Sequence, residues 1–285
     1  MILGGSGSGK TTLIEEKIKK DIEGGRQVIL LVPEQETVSA ERRMLSFLPP
    51  SAQLSFEVLN FTRLANRVFR QYGGLARRNI SAGVRSLSMW NTVRSLRPLL
   101  CKYGGGENSD LALTSLMLAT VEEFEAYCVS PERLELAANE LDEKSTLRGK
   151  LRDLSLIYAA YKASLETYGD GDDELSALDG ILSEHDFFKQ MNVYIDSFTD
   201  FTEQEHKIIC RMIDGASSVT ATVCYSDEKP LPMHFETMKG TVDFFLKQAE
   251  KRRIMPEITW LYGNKRSDSE ALKMLERDLD RKSVV

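Results

Sequence analysis

Lys10 and Thr11 close a glycine-rich run, GGSGSGKTT, which satisfies G-x-x-x-x-G-K-[ST] from Gly4 through Gly9. Residue types at this spacing hold phosphate. Glycines let the backbone turn successive N–H groups inward, and a helix starting at the lysine adds the positive end of its dipole. Lys10 is placed to reach the β- and γ-phosphates of a nucleotide, and Thr11 to hold Mg²⁺. A flexible linker shares this composition. It has no cause, however, to place Lys-Thr after its last glycine or to run on into Ile14, Ile18 and Ile22, four apart on one helical face. Gly4, Gly5, Ser6, Gly7, Ser8, Gly9, Lys10, Thr11 and Thr12 are therefore the candidate nucleotide-binding residues, with ATP and Mg²⁺ as the implied cofactors.

Hydrolysis demands more: an acid at the end of another strand for the metal, and a group that orients water. VYID, ending at Asp196, is the best candidate strand end, so Thr11 and Asp196 form the expected metal pair. In an active ATPase of helicase type the next residue is Glu; here it is Ser197, which cannot take a proton from water at neutral pH as a carboxylate does. Asp200, Glu203 and Glu205 lie nearby in sequence. Two readings stay open: that one of them stands in for the missing carboxylate, or, the preferred reading, that they are solvated residues capping the next helix. The expectation is a site that binds a nucleotide better than it turns one over.

These residues need elements to position them. Apolar, β-branched runs at 1–4, 27–32, 53–59, 192–196, 218–225 and 257–262 read as short buried strands, and helical patterns alternate with them. That alternation predicts an open α/β parallel sheet of P-loop type. From 81 to 188 the strand signal vanishes. Helices are expected at Leu111–Cys128, Pro131–Asn139, Leu147–Tyr168 and Leu175–Leu182, with Ser130 capping the second. The predicted organisation is a discontinuous α/β core, 1–80 and 189–285, with a helical subdomain inserted at 81–188. KYGGGENSD reads as a mobile loop, and the end at RKSVV, after a charge-alternating helix, as a truncation.

Net charge is −6 over 285 residues, yet no acid occurs between Glu57 and Glu107, where nine Arg and Lys residues fall. A local polyanion-binding surface would produce this asymmetry; so would a basic face paired with the acidic segment from Glu122 to Glu174. No apolar run approaches the length of a membrane span, and Met1-Ile2-Leu3 is too short for a signal core. Four scattered cysteines, Cys101, Cys128, Cys210 and Cys224, and three dispersed histidines argue against a zinc site or disulfide framework. They read as buried bystanders in a reducing cytoplasm.

Several pieces fall in one order: GGSGSGKTT, LLVPEQETVSAERRML, VLNFTRLANRVFRQYGG, CVSPERL, LRDLSLIYAAY, VYIDSFTDFTEQE and HFETMKGTVDFFLKQAE. Over nearly its whole length the chain resembles the N-terminal part of the B subunit of AddAB-type helicase–nucleases, bacterial machines that process double-strand DNA breaks. The resemblance implies a superfamily 1 helicase-like fold, a degenerate motor, contact with single- and double-stranded DNA, and heterodimerisation with an A-type helicase–nuclease subunit. It makes Gln35, Thr37, Phe61, Arg63, Arg67 and Phe201 the candidate DNA contacts. Aromatic faces and guanidinium groups suit stacking and phosphate contact. Asn66 departs from the family, many members of which carry an aromatic there. The family's nuclease and its iron–sulfur cluster belong to a C-terminal region absent here, so this chain alone is expected to lack nuclease activity and to show weak or no ATPase. Two rivals stay open: an independent P-loop kinase or NTPase, and a non-catalytic scaffold with a vestigial loop.

Overall fold

The computed structural model describes residues 1–49, 52, 54–74, 80–105, 110–166, 174–227, 235–265 and 269. The loop at 106–109, the predicted end of the third inserted helix at 167–168, and the terminus at RKSVV lie outside the described residues. Six strands carry the fold: β1 (Ile2–Gly4), β2 (Gln27–Leu31), β3 (Phe56–Leu59), β4 (Met191–Ile195), β5 (Ser218–Cys224) and β6 (Thr259–Leu261). They form one sheet in the order β3-β2-β4-β5-β1-β6, and every neighbouring pair is parallel. The strand expected over 53–59 starts only at Phe56, after a turn closed by the Ser55 N–H on the Ala52 carbonyl.

Parallel strands need crossovers, and helices supply them. Ten are described: α1 (Lys10–Glu23), α2 (Thr37–Phe47), α3 (Phe61–Tyr72), α4 (Ala82–Leu96), α5 (Asp110–Ala126), α6 (Pro131–Asn139), α7 (Thr146–Glu166), α8 (Glu174–Glu184), α9 (Glu203–Gly215) and α10 (Glu236–Lys251). No described helix is long and apolar enough to cross a membrane.

The chain divides into two compact units. One comprises Met1–Ala65, Leu182–Phe201 and the described residues from Glu205 onward; the other comprises Asn66–Ile181 with Thr202–Gln204. The first holds the sheet. Its layers follow from strand alternation: Ile2 packs with Ile14, Ile18, Val28, Leu30 and Met44 on one face, while Leu3 meets Val223 and Val242 on the other. Beneath the first face Asp21 accepts hydrogen bonds from Asn192 (2.5 Å) and from the Tyr194 hydroxyl (2.7 Å). Burial, reinforced by that acceptor, pushes the Tyr194 phenol above its ordinary range.

The second unit is helical. Met89, Val93, Met117, Val121, Ile157 and Tyr161 form its centre, from α4, α5 and α7. Ser130 caps α6 as its sequence predicts, its hydroxyl accepting from the Arg133 N–H at 3.3 Å. The four helices predicted in this region leave out α4, whose N-cap, Ser81, accepts from the Val84 N–H. The expectation of buried cysteines also needs correction: Cys101 is exposed and the other three are half-buried, all as free thiols. Cys101 and Cys128 follow helices, Cys224 ends β5, and Cys210 lies within α9.

Candidate functional site

The phosphate-loop sequence folds between β1 and α1, as its chemistry requires. Gly7 and Gly9 have φ of 74° and 95°, torsions that cost an L-residue about 1–2 kcal/mol. Gly9 is the N-cap of α1, and no side chain caps that helix end. Gly4 is demanded by space: a Cβ there would stand 2.3 Å from the Leu261 carbonyl oxygen of β6. Lys10 folds back, its ammonium donating to the carbonyls of Gly4 (2.8 Å) and Gly5 (2.7 Å). Ser8 is fully buried in the loop and its hydroxyl has no hydrogen-bond partner. Left-handed glycines, a bare helix N-terminus, a lysine and an unsatisfied hydroxyl fit a phosphate-bearing group.

Asp196 directly follows β4 and is 3% exposed. Its N–H continues the ladder to Leu31, and its carboxylate accepts a short hydrogen bond from the buried Thr222 hydroxyl of β5. In the sheet β5 separates β4 from β1. Because the strands are parallel, Asp196 and the phosphate loop share the carboxyl edge, where open α/β sheets bind ligands. Thr11 lies in the first turn of α1. Among the described residues no group of three or more acids, histidines or cysteines could hold a metal by itself. A cavity of about 400 Å³ opens at the opposite edge, lined by Met1, Ser218, Thr220, Met255 and Thr259. It brings together no such chemistry.

Ser197 adopts φ 68°, a left-handed conformation rare outside glycine, immediately after Asp196. Asp200 is exposed and accepts the N–H of Phe201, and Glu203 begins α9.

The six candidate DNA contacts separate by burial. Thr37 is buried, its hydroxyl donating to the Pro33 carbonyl. Phe61 and Phe201 are buried too: Phe198 stands between them, 5.8 Å from the first ring and 4.8 Å from the second, and Phe245 lies edge-on to Phe201. Stacking on a nucleobase needs an open ring face, and these two rings spend theirs within the core. Gln35 and Arg63 are exposed, and Arg67 is half-buried. Arg63, Arg67 and Arg70 recur at spacings of four and three along α3, one stripe of that helix, while Leu64 and Val68 take the buried side. Arg63 pairs with Glu41 at 2.5 Å and Arg67 donates to Gln71.

Three contributors escaped the sequence reading. Asn60 caps α3, its side chain accepting the Arg63 N–H at 2.7 Å; an Asn before an amphipathic run is a readable signal. Thr222 reaches Asp196, and Lys265 donates its N–H to the Gly7 carbonyl at 2.8 Å. Neither has a local signal, because both meetings depend on strand order.

A family model described as ADDB, N-terminal, matches residues 1–276. Relatives whose descriptions make them the B subunit of an ATP-dependent helicase/deoxyribonuclease include that of Caldanaerobacter subterraneus subsp. tengcongensis, 35% identical over 262 residues. The relative from Thermoanaerobacter sp. strain X514 is 33% identical over 262 residues, and that from Clostridioides difficile strain 630 is 33% identical over 232 residues. These alignments cover 90%, 90% and 79% of this chain but only 22%, 23% and 20% of the respective relatives. With the family model spanning nearly every residue, the chain belongs to the AddB family and corresponds to its N-terminal part.

Proposed function

We propose that this chain forms the N-terminal helicase-like part of a DNA-repair helicase–nuclease subunit, where it binds Mg–ATP with little or no turnover and contacts single-stranded DNA beside an A-type partner subunit. The observation that carries the reading is the loop itself: Gly9 left-handed at the N-terminus of α1, Lys10 over the loop carbonyls and an unsatisfied Ser8 hydroxyl. Lys10 exchanges its two carbonyls for phosphate oxygens, and the N-terminal amides of α1 face the same charge. Mg²⁺ arriving with the nucleotide would be held by Thr11 and Asp196 and would lend positive charge to the phosphates. Ser197, directly after Asp196, offers no carboxylate to draw a proton from water, which supports binding without efficient hydrolysis. For DNA, support rests on the exposed members of the candidate set: Gln35, Arg63 and the further arginines of the α3 stripe.

The test pairs wild type with Lys10→Ala. Mg–ATP binding, read by calorimetry, is expected to fall at least tenfold in the variant, the loss of one charge-assisted contact or more. Turnover is expected to be negligible in both, and oligonucleotide binding unchanged. Robust ATP hydrolysis by wild type would overturn the degenerate-motor reading. Absence of ATP binding would favour a scaffold, and phosphoryl transfer to a metabolite a kinase.

A further inference from the structure

We propose that Lys265 is a second phosphate-binding cation of the loop, delivered to it by β6. The inference rests on the reading of the loop as a nucleotide site and adds to it a residue from the far end of the chain. β6 pairs in parallel with β1, and Gly4 stands in register with Leu261. The chain then turns through Gly263, at φ 80°, and the N–H of Lys265 closes on the Gly7 carbonyl. Its side chain lies along Gly9: Nζ and Cδ come within 3.3 and 3.4 Å of where a Gly9 Cβ would stand.

This is an unfavourable place for an ammonium unless an anion joins it. The N-terminus of α1 carries the positive end of the helix dipole, and a cation there is disfavoured by about 0.3–1 kcal/mol. The first turn of α1 contains no acidic residue, and Lys10 adds a second positive charge to the same loop. Lys10 is satisfied by two carbonyls, whereas among the described residues Lys265 has no carboxylate partner. Two ammonium groups and a helix N-terminus converge on one loop, an arrangement that a polyphosphate of three or four negative charges turns from repulsive to attractive. Gly9, whose φ of 95° favours glycine, lets the lysine stem lie along it without crowding from a Cβ. Extra cationic charge also suits a site that holds nucleotide rather than releasing it after each turnover.

The deciding variant is Lys265→Met, which keeps an unbranched stem on Gly9 and removes the charge. Lys265→Arg keeps the charge, and Lys10→Ala reports on the site as a whole. Calorimetric titrations use Mg–ATP and inorganic tripolyphosphate, and the stoichiometry reports the folded fraction on which each affinity is read. Expected is a loss of about tenfold in affinity for both probes in Lys265→Met, with Lys265→Arg within about threefold of wild type. Wild-type affinity in Lys265→Met, alongside a loss in Lys10→Ala, would overturn the role of Lys265 and leave the nucleotide site standing. Equal losses in the Met and Arg variants would overturn it as well, because charge would not be what matters. Failure of the wild type to bind either probe would sink both readings together.

Discussion

At the scale of single residues, Ser197 carries two messages in one place. Its identity leaves no carboxylate directly after Asp196, as the proposed binding without turnover requires; its φ of 68° stores backbone strain beside Asp196. Replacing it with glycine, which adopts this conformation without a Cβ clash, is expected to stabilise the first unit by about 1 kcal/mol. Denaturant unfolding would measure this; an unchanged or lower midpoint for Ser197→Gly would show that the serine side chain compensates the strain. The same residue marks what the sequence makes legible. Ser in place of Glu is a matter of chemistry and is visible in VYIDS. The torsion is a matter of where β4 must hand the chain on, and no local pattern announces it. Phe61 and Phe201 teach the converse. Their type suits a base-stacking platform, but an aromatic ring is equally good core material, and only the meeting with Phe198 and Phe245 decides between the two.

At the scale of elements, periodicity placed all six strands because a buried parallel strand is a short apolar run with little else to resemble. Helix α4 escaped because its buried residues, Ser88, Met89, Thr92 and Val93, include two hydroxyls that blur the apolar stripe. The connection after it is anchored from a distance. Asp153 of α7, buried, accepts the backbone N–H groups of Cys101, Lys102 and Tyr103 at 2.9, 2.6 and 3.0 Å. A carboxylate here does for a turn what phosphate does for a nest of amides, and it also pins α7 to the segment following α4. Asp153→Ala would leave three amides without their acceptor, for an expected loss of about 3 kcal/mol in the helical unit. Circular dichroism during urea unfolding, with wild type alongside, checks this; a loss under about 1 kcal/mol would mean that water replaces the carboxylate.

For the molecule as a whole, charge is distributed more subtly than its sum. Some of the basic stretch is absorbed internally: Arg97 pairs with Asp110, and Arg94 lies over the Trp90 ring. The α3 stripe keeps exposed Arg63 and Arg70, which matter if this chain meets a phosphate backbone. Changing both to alanine is expected to weaken single-stranded DNA binding at low salt. It should also reduce the slope of log affinity against log salt by about 1.4, at roughly 0.7 per phosphate contact. Anisotropy titrations across salt concentrations give that slope, and an unaltered value would move the contact elsewhere. Internal pairing takes up Arg97, through Asp110, and Arg63, through Glu41, and neither acid lies in the segment from Glu122 to Glu174. The DNA proposal rests on the exposed stripe of α3, where Arg63 would exchange Glu41 for phosphate.

The position of β1 has an implication for how such a chain comes into being. Translation delivers the phosphate loop ahead of the strands that flank it, and Ile2 finds its sheet neighbours only when Thr222 and Thr259 have been made. Until then β1 has bare edges on both sides, and Gly7 waits for the N–H of Lys265. The nascent chain must therefore be kept from aggregating through its earliest strand for almost the whole length of this part. If the proposed site binds nucleotide, a loop closed by the N–H of Lys265 would be complete only once β6 has joined the sheet.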